Sequence, residues 1–209
     1  MPNLSKPAVT DYPIHDLLAE RWSPIAFAET LVEPVKLLSL FEAARWSASS
    51  RNEQPWAFVV GTKEDDPVTY DRIFDALVPA NQVWAKTAPV LVVSLARRQF
   101  EQNGNENFYA LYDTGQAIAN LIVEATAQGL YVHQMGGFDQ EKMKANLAIP
   151  DTYLIGAALT IGYLGDSSVL EEKYQERHNN PARARRPLSS SVLTASGEFG
   201  TASPLLETT

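Results

Sequence analysis

The sequence predicts an α+β or α/β chain built around a small, largely covered sheet. Three observations carry that expectation. Four apolar runs of strand length, "AFVVGT", "APVLVVSLA", "LYVHQM" and "YLIGAALTIGYLG", alternate with segments of helical character. The run at 88–96 is apolar but for Ser94, the pattern of a central strand covered on both faces. The segment 109–128 is mostly apolar and rich in alanine, the pattern of a slim helix buried on more than one side.

The elements follow in order. Asp11 reads as the N-cap of a short helix through Ala19, with Pro13 tolerated in its first turn. A second helix from about Pro34 to Trp46 carries Leu37, Phe41 and Ala44 on one face. After the polar stretch "SASSRNEQP", 47–55, comes the strand 57–62. Asp66-Pro67 opens a third helix, and Pro79 closes it. Following the strand at 88–96, "RRQFEQNGNENF", 97–108, reads as an exposed excursion. The long helix from Tyr109 to Gln128 puts Leu111, Ile118, Leu121, Ile122 and Ala125 on one side and stops at Gly129. A strand at 130–135, a short helix begun by Asp139 and a strand at 153–165 complete the pattern. Beyond Gly165 the periodicity is weak, and the chain is expected to wrap over the surface. With no internal repeat or linker, residues 1–209 read as one domain, with a core over 11–188 and a tail over 189–209.

Composition narrows the function. A chain of 209 residues, 45% hydrophobic and 20% charged, is that of a globular protein. The apolar runs are too short to span a bilayer and the N-terminus has no apolar signal segment, so the expectation is a cytoplasmic protein without membrane contact. Zero cysteines exclude disulfides, thiol nucleophiles and thiolate metal sites. A net charge of −8 argues against general nucleic-acid binding, although "RHNNPARARRPL", 177–188, is locally basic. Nucleophile-elbow, Walker A and dinucleotide fingerprints are missing. His15, His133 and His178 are scattered without metal spacing and read as surface or core filler, so no metal is expected.

Four polar clusters remain, each with a plain structural reading beside a binding one. "RWS", 21–23, could grip an anion, or its Arg could answer a helix dipole. Ser49, Ser50 and Asn52 offer short donors and acceptors, or make an elaborate turn. "QMGGF", 134–138, could let backbone N–H groups approach a planar ligand, or be a loose turn before Asp139. Arg183 and Arg185 alternate along an extended segment, or are a solvated charge run. Together they supply arginines for a phosphate, hydroxyl and amide groups for a polyol, and N–H donors for a flavin ring.

The elements "ERWSPIAF", "AARWSASSRNEQPWAFVV", "NQVWAKTAPVLVV", "YDTGQAIANLIVEATAQGL", "MGGFD", "IGYLGD" and "RRPLS" resemble those of the FMN-dependent nitroreductase family, in order from Asp11 to Leu188. The resemblance implies an α+β, three-layer α-β-α fold with a small, mostly antiparallel sheet. It also implies a homodimer with shared active sites. The activity implied is ping-pong hydride transfer from NAD(P)H through FMN to a nitroaromatic, quinone or related acceptor. By position, Arg21, Trp22, Ser23, Gln134, Met135, Gly136, Gly137, Arg183 and Arg185 would bind FMN from one subunit, and Ser49, Ser50 and Asn52 from the other. Gln116 would contribute from the long helix, with Asn81 and Lys86 as further candidates. No side chain would be catalytic; the backbone N–H of Gly136 or Gly137 would face flavin N5. Reductive dehalogenation, flavin cleavage or slow-turnover flavin binding are the alternatives on the same fold. Two positions depart from the family pattern. Ile25 stands where many relatives carry a second basic residue, and Ala48 replaces the usual proline.

Overall fold

The computed structural model describes residues 4–195 and 200–207. Its helices are α1 (Asp16–Glu20), α2 (Pro34–Arg45), α3 (Pro67–Ala76), α4 (Pro79–Ala85), α5 (Ala110–Ala127), α6 (Gln140–Asn146) and α7 (Glu172–Asn179). The strands are β1 (Trp56–Thr62), β2 (Val90–Arg97), β3 (Tyr131–Met135) and β4 (Tyr153–Gly162), in sheet order β1-β2-β4-β3. Every neighbouring pair is antiparallel. The fold is α+β in three layers, as expected.

The apolar run of β2, broken only by Ser94 before its end at Arg97, is explained by burial on both faces. Leu91, Val93 and Leu95 pack against α3, α4 and α6, whereas Val90 and Val92 pack against α2 and α5. At Ser94 the register with β4 shifts, and the buried Ser94 hydroxyl donates to Ala157 O (3.0 Å) while accepting from Ala157 N (2.9 Å). A polar group is thus satisfied inside the sheet where the ladder is interrupted.

Helix punctuation follows local chemistry. Asp66 caps α3 by accepting from Thr69 N (3.0 Å) with Pro67 in the first turn, and Asp139 caps α6 by accepting from Lys142 N (2.9 Å). The end of α5 is a Schellman motif. Gly129 takes φ +72°, its N–H bonds Thr126 O (3.1 Å), and Leu130 N bonds Ala125 O (2.8 Å).

Four expectations need correction. The first helix begins at Asp16, because His15 Nδ1 accepts from Leu17 N (3.2 Å) and so caps it, whereas Asp11 lies in a bend ahead of Pro13. Pro79 does not close α3, which ends at Ala76; it opens α4, where its missing N–H costs nothing. The chain after Gly165 holds α7, where His178 is the one buried residue and half-buried Tyr174 the one apolar contact with the core, so no apolar periodicity announces it. Finally, α5 is buried on one side only within this chain: Leu111 is 48% exposed, Tyr112 69%, and Ala119 and Ala127 face outward. Of the 189–209 tail, 196–199 and 208–209 lie outside the described residues. No described helix is long and apolar enough to cross a membrane.

Candidate functional site

Arg21 is the C-cap of α1, and from it residues 21–27 leave the helix as an extended segment. The Arg21 guanidinium donates to Ser23 Oγ (3.0 Å), so both side chains face the same way. They line a cavity of about 670 Å³ together with Lys6, Arg177, Arg183 and Arg185. Arg183 ties the cavity together: Nη1 donates to Lys6 O (2.5 Å) and Ala19 O (2.7 Å), and Nη2 to Arg21 O (2.8 Å). Arg185 bonds only its neighbour's carbonyl, Ala184 O (2.8 Å).

Among the described residues, none of these cations is in an ion pair. Burial lowers the pKa of Arg21, and the charges of Arg183 and Arg185 lower it further. Lys6 is lowered by burial and then by Arg183, and Arg183 by burial and then by Arg185. One carboxylate, Glu176, lines the same cavity. Like charges held this close without an ion pair suit an anion, because a bound anion would relieve the mutual repulsion.

The second part is the end of edge strand β3. Gln134 is exposed, while Met135 is 3% exposed and packs into the core. A Cβ at Gly136 would meet nothing within 4 Å, whereas one at Gly137 would lie 2.7 Å from Asn81 Nδ2. Gly137 O accepts from Asn81 Nδ2 (3.0 Å) and Val78 N (3.1 Å), which hangs α4 on this turn. The N–H groups of Gly136 and Gly137 donate to no described atom.

The third part is the Ser-Asn loop, where Arg51, Asn52 and Gln54 take φ of 55°, 56° and 51°. Such left-handed residues persist only when their surroundings hold them, and here the loop's own polar groups do so. Ser49 Oγ accepts from Gln54 N (3.0 Å), and Gln54 Nε2 donates to Asn52 O (2.9 Å). Ser50 N donates to the 3% exposed Asp113 on α5 (2.9 Å), and Glu53 binds Glu101 N (2.7 Å) of the 97–108 excursion. The Ser50 hydroxyl and the Asn52 side-chain amide carry no hydrogen bond to described residues, and Gln116 is half-buried three residues beyond Asp113.

The cavity unites Arg21, Trp22, Ser23, Arg183 and Arg185; it does not take in Ser49, Ser50, Asn52, Gln116 or 134–137. Trp22 is a wall residue, 7% exposed and edge-on to Tyr131 (5.8 Å) and His178 (5.3 Å). Asn81 holds Gly137, and Lys86 is exposed. Sequence reasoning missed Lys6, Arg177, Asp113 and the two buried-ring contacts of His133 and His178. Lys6 lies in a segment without periodicity, and Asp113 sits in a helix that reads as apolar. Ile25 is 2% exposed, so position 25 contributes wall rather than charge; Lys6 brings a cation to the same cavity from the N-terminal segment. Its Nζ lies 4.3 Å over the Trp22 ring and donates to Asn180 O (2.7 Å).

Comparison with known proteins gives a consistent result. Residues 62–163 match the nitroreductase family model. A solved oxidoreductase containing FMN is 32% identical, with a TM-score of 0.83 over 95% of this chain and 98% of that one. A nitroreductase family protein of Clostridium novyi NT shares the fold at 24% identity, with a TM-score of 0.61 over 78% and 89% of the two chains. An uncharacterized 15.4 kDa protein of Mycolicibacterium smegmatis is 37% identical over 92 residues. That match spans 44% of this chain and 60% of the relative.

Proposed function

This chain belongs to the nitroreductase family, and from that premise we propose that it is an FMN-dependent oxidoreductase taking hydride from NAD(P)H in a ping-pong cycle and passing it to a nitroaromatic, quinone or related acceptor. The observation that carries the reading is the group of guanidiniums at Arg21, Arg183 and Arg185 around Ser23, none of them in an ion pair among the described residues. Its chemistry fits the terminal dianionic phosphate of FMN. Gly136 fits the ring, since its backbone is open on the side a Cβ would occupy and its N–H has no partner. Bound FMN supplies the hydride acceptance and donation that no side chain here can provide. The protein's part is to fix the phosphate through its arginines, hold the ring against Gly136 and Gly137, and orient their N–H groups. Protons for the acceptor come from solvent, because the glycine turn holds no ionisable side chain.

The site is completed by a second copy. Phe108 (81% exposed), Tyr112 (69%) and Leu111 (48%) form an apolar face at the start of α5, beside the unbonded Ser50 and Asn52 side chains. Covering that face in a homodimer brings Ser50 and Asn52 to the neighbouring subunit's cofactor. The test is complementation. A Ser50→Ala/Asn52→Ala chain and an Arg21→Ala/Arg185→Ala chain, each deficient alone, should regain FMN sites when mixed under subunit exchange. A fully active monomer contradicts the shared site. In fluorescence titrations FMN should bind at least tenfold tighter than FAD, which lacks a terminal phosphate.

A further inference from the structure

The peptide unit joining Pro24 to Ile25 is gripped at both ends by imidazoles from distant parts of the chain. Its carbonyl oxygen lies 2.8 Å from Nδ1 of His133 on β3. Its N–H donates to Nδ1 of His178 on α7 at 3.3 Å. A carbonyl only accepts, so His133 carries a proton on Nδ1; an N–H only donates, so His178 keeps Nδ1 bare and is neutral.

Each ring is anchored in turn to a different part of the site. His133 packs at a tilt against Trp84 of α4 (centroids 4.5 Å apart), the helix whose Asn81 holds Gly137 O. His178, 2% exposed, lies edge-on to Trp22 at 5.3 Å, and its carbonyl accepts from Lys6 Nζ. One ring therefore ties segment 21–25 to the glycine turn, and the other ties it to α7 and the basic tail that follows.

We propose that His133 and His178 are positioning residues for the cofactor site: by clamping the 24–25 peptide from both ends they hold Arg21 and Ser23 in register with Gly136 on one side and with Arg183 and Arg185 on the other. The proposal rests on the FMN reading. His178 also lines the basic cavity, whereas His133 does not.

Protonation opens one jaw of the clamp, since a proton on His178 Nδ1 faces the Ile25 N–H donor to donor. The groups around His178 are Lys6 and Asp166, with the Trp22 ring. Burial first, then Lys6, hold its pKa down to about 4 against the opposing pull of Asp166. Around His133 stand Arg177 and Arg21, which add to the lowering by burial while its backbone hydrogen bonds at Pro24 and Ser23 oppose it. A depressed histidine favours the folded clamp at neutral pH, and that contribution is lost as the pH falls from the ordinary value of about 6.5 towards 4.

FMN release, followed by recovery of free-flavin fluorescence after dilution, tests the clamp. At neutral pH, His178→Leu and His133→Leu should release FMN about tenfold faster than the parent. The double variant should be little faster than either, because both act on one peptide. His178→Asn keeps an acceptor oxygen near the Nδ1 position and does not titrate. It should release at the parental rate and lack the parent's acceleration as the pH falls towards about 4. His178→Asn releasing as fast as His178→Leu, or sharing the parent's acid limb, overturns the proposal; the second comparison stands even if a leucine variant does not fold. Parental release rates in every variant of an FMN-binding parent overturn the clamp alone. A parent that takes up no FMN overturns the cofactor reading and the clamp with it.

Discussion

Replacing Arg183 with alanine is expected to weaken FMN binding about a hundredfold and to lower stability by about 2–4 kcal/mol. The double effect follows from its bonds. Its guanidinium donates to the carbonyls of Lys6, Ala19 and Arg21, so it fastens the C-terminal basic segment to the N-terminal one while contributing charge to the cavity. Charge-assisted bonds of this kind are worth about 1.5–3 kcal/mol each, and alanine leaves half-buried acceptors unpaired. Arg185→Ala should separate the two roles. Arg185 bonds only Ala184 O, so its loss should weaken FMN about tenfold and leave the urea midpoint within error. Arg177 lines the same cavity on α7, and Arg177→Ala should weaken FMN less than either. Equal effects of Arg177→Ala and Arg185→Ala, measured by flavin fluorescence titration, contradict the phosphate assignment.

Gly136→Val and Gly137→Val should fail in opposite ways. The new side chain at Gly136 enters open space, so the apo protein should keep its stability. On the proposed placement of the flavin it would occupy the approach to the ring, however, and flavin reduction should slow about a hundredfold, as expected for a displacement near 1 Å. At Gly137 the Cβ would lie 2.7 Å from Asn81 Nδ2 and 3.0 Å from Val78 Cγ2. Relieving that contact breaks the bond from Asn81 to Gly137 O, so Gly137→Val should lose about 2–3 kcal/mol of stability. Urea unfolding of the apo proteins, set beside reduction rates of the loaded ones, distinguishes the two. A Gly136→Val protein that binds and reduces flavin normally removes the glycine turn from the site.

What the sequence makes legible is set by how local the cause is. β2 reads as a central strand because both of its faces are buried, and the end of α5 reads from Gly129 because the αL cap is a one-residue requirement. α6 (Gln140–Asn146) and the strand β4 after Pro150 are likewise announced by a cap and an apolar run. α7 is not legible, since its sole buried anchor is a histidine that meets residues from the start of the chain. The Ser-Asn loop shows a different limit. Its residue types are visible, but the same types build the left-handed turn and supply site groups, and only coordinates separate Ser49, used in the turn, from Ser50 and Asn52, whose side chains remain open. The alternation of Arg183 and Arg185 suggests equal partners, yet one is tied to three carbonyls and the other to one. The roles of His133 and His178 are illegible for the plainest reason: the peptide they grip lies more than a hundred residues away.

Anaerobic stopped-flow mixing of the FMN-loaded protein with NADH, and separately with NADPH, tests the central claim most directly. The flavin's visible absorbance should bleach fully with no acceptor present, at a rate that varies little between about pH 6 and 8 because hydride transfer to the flavin needs no proton from a side chain. A second mixing with a quinone or nitroaromatic should restore it. Flavin that stays oxidised with both nicotinamides, or that is reduced only when the acceptor is already bound, contradicts the account.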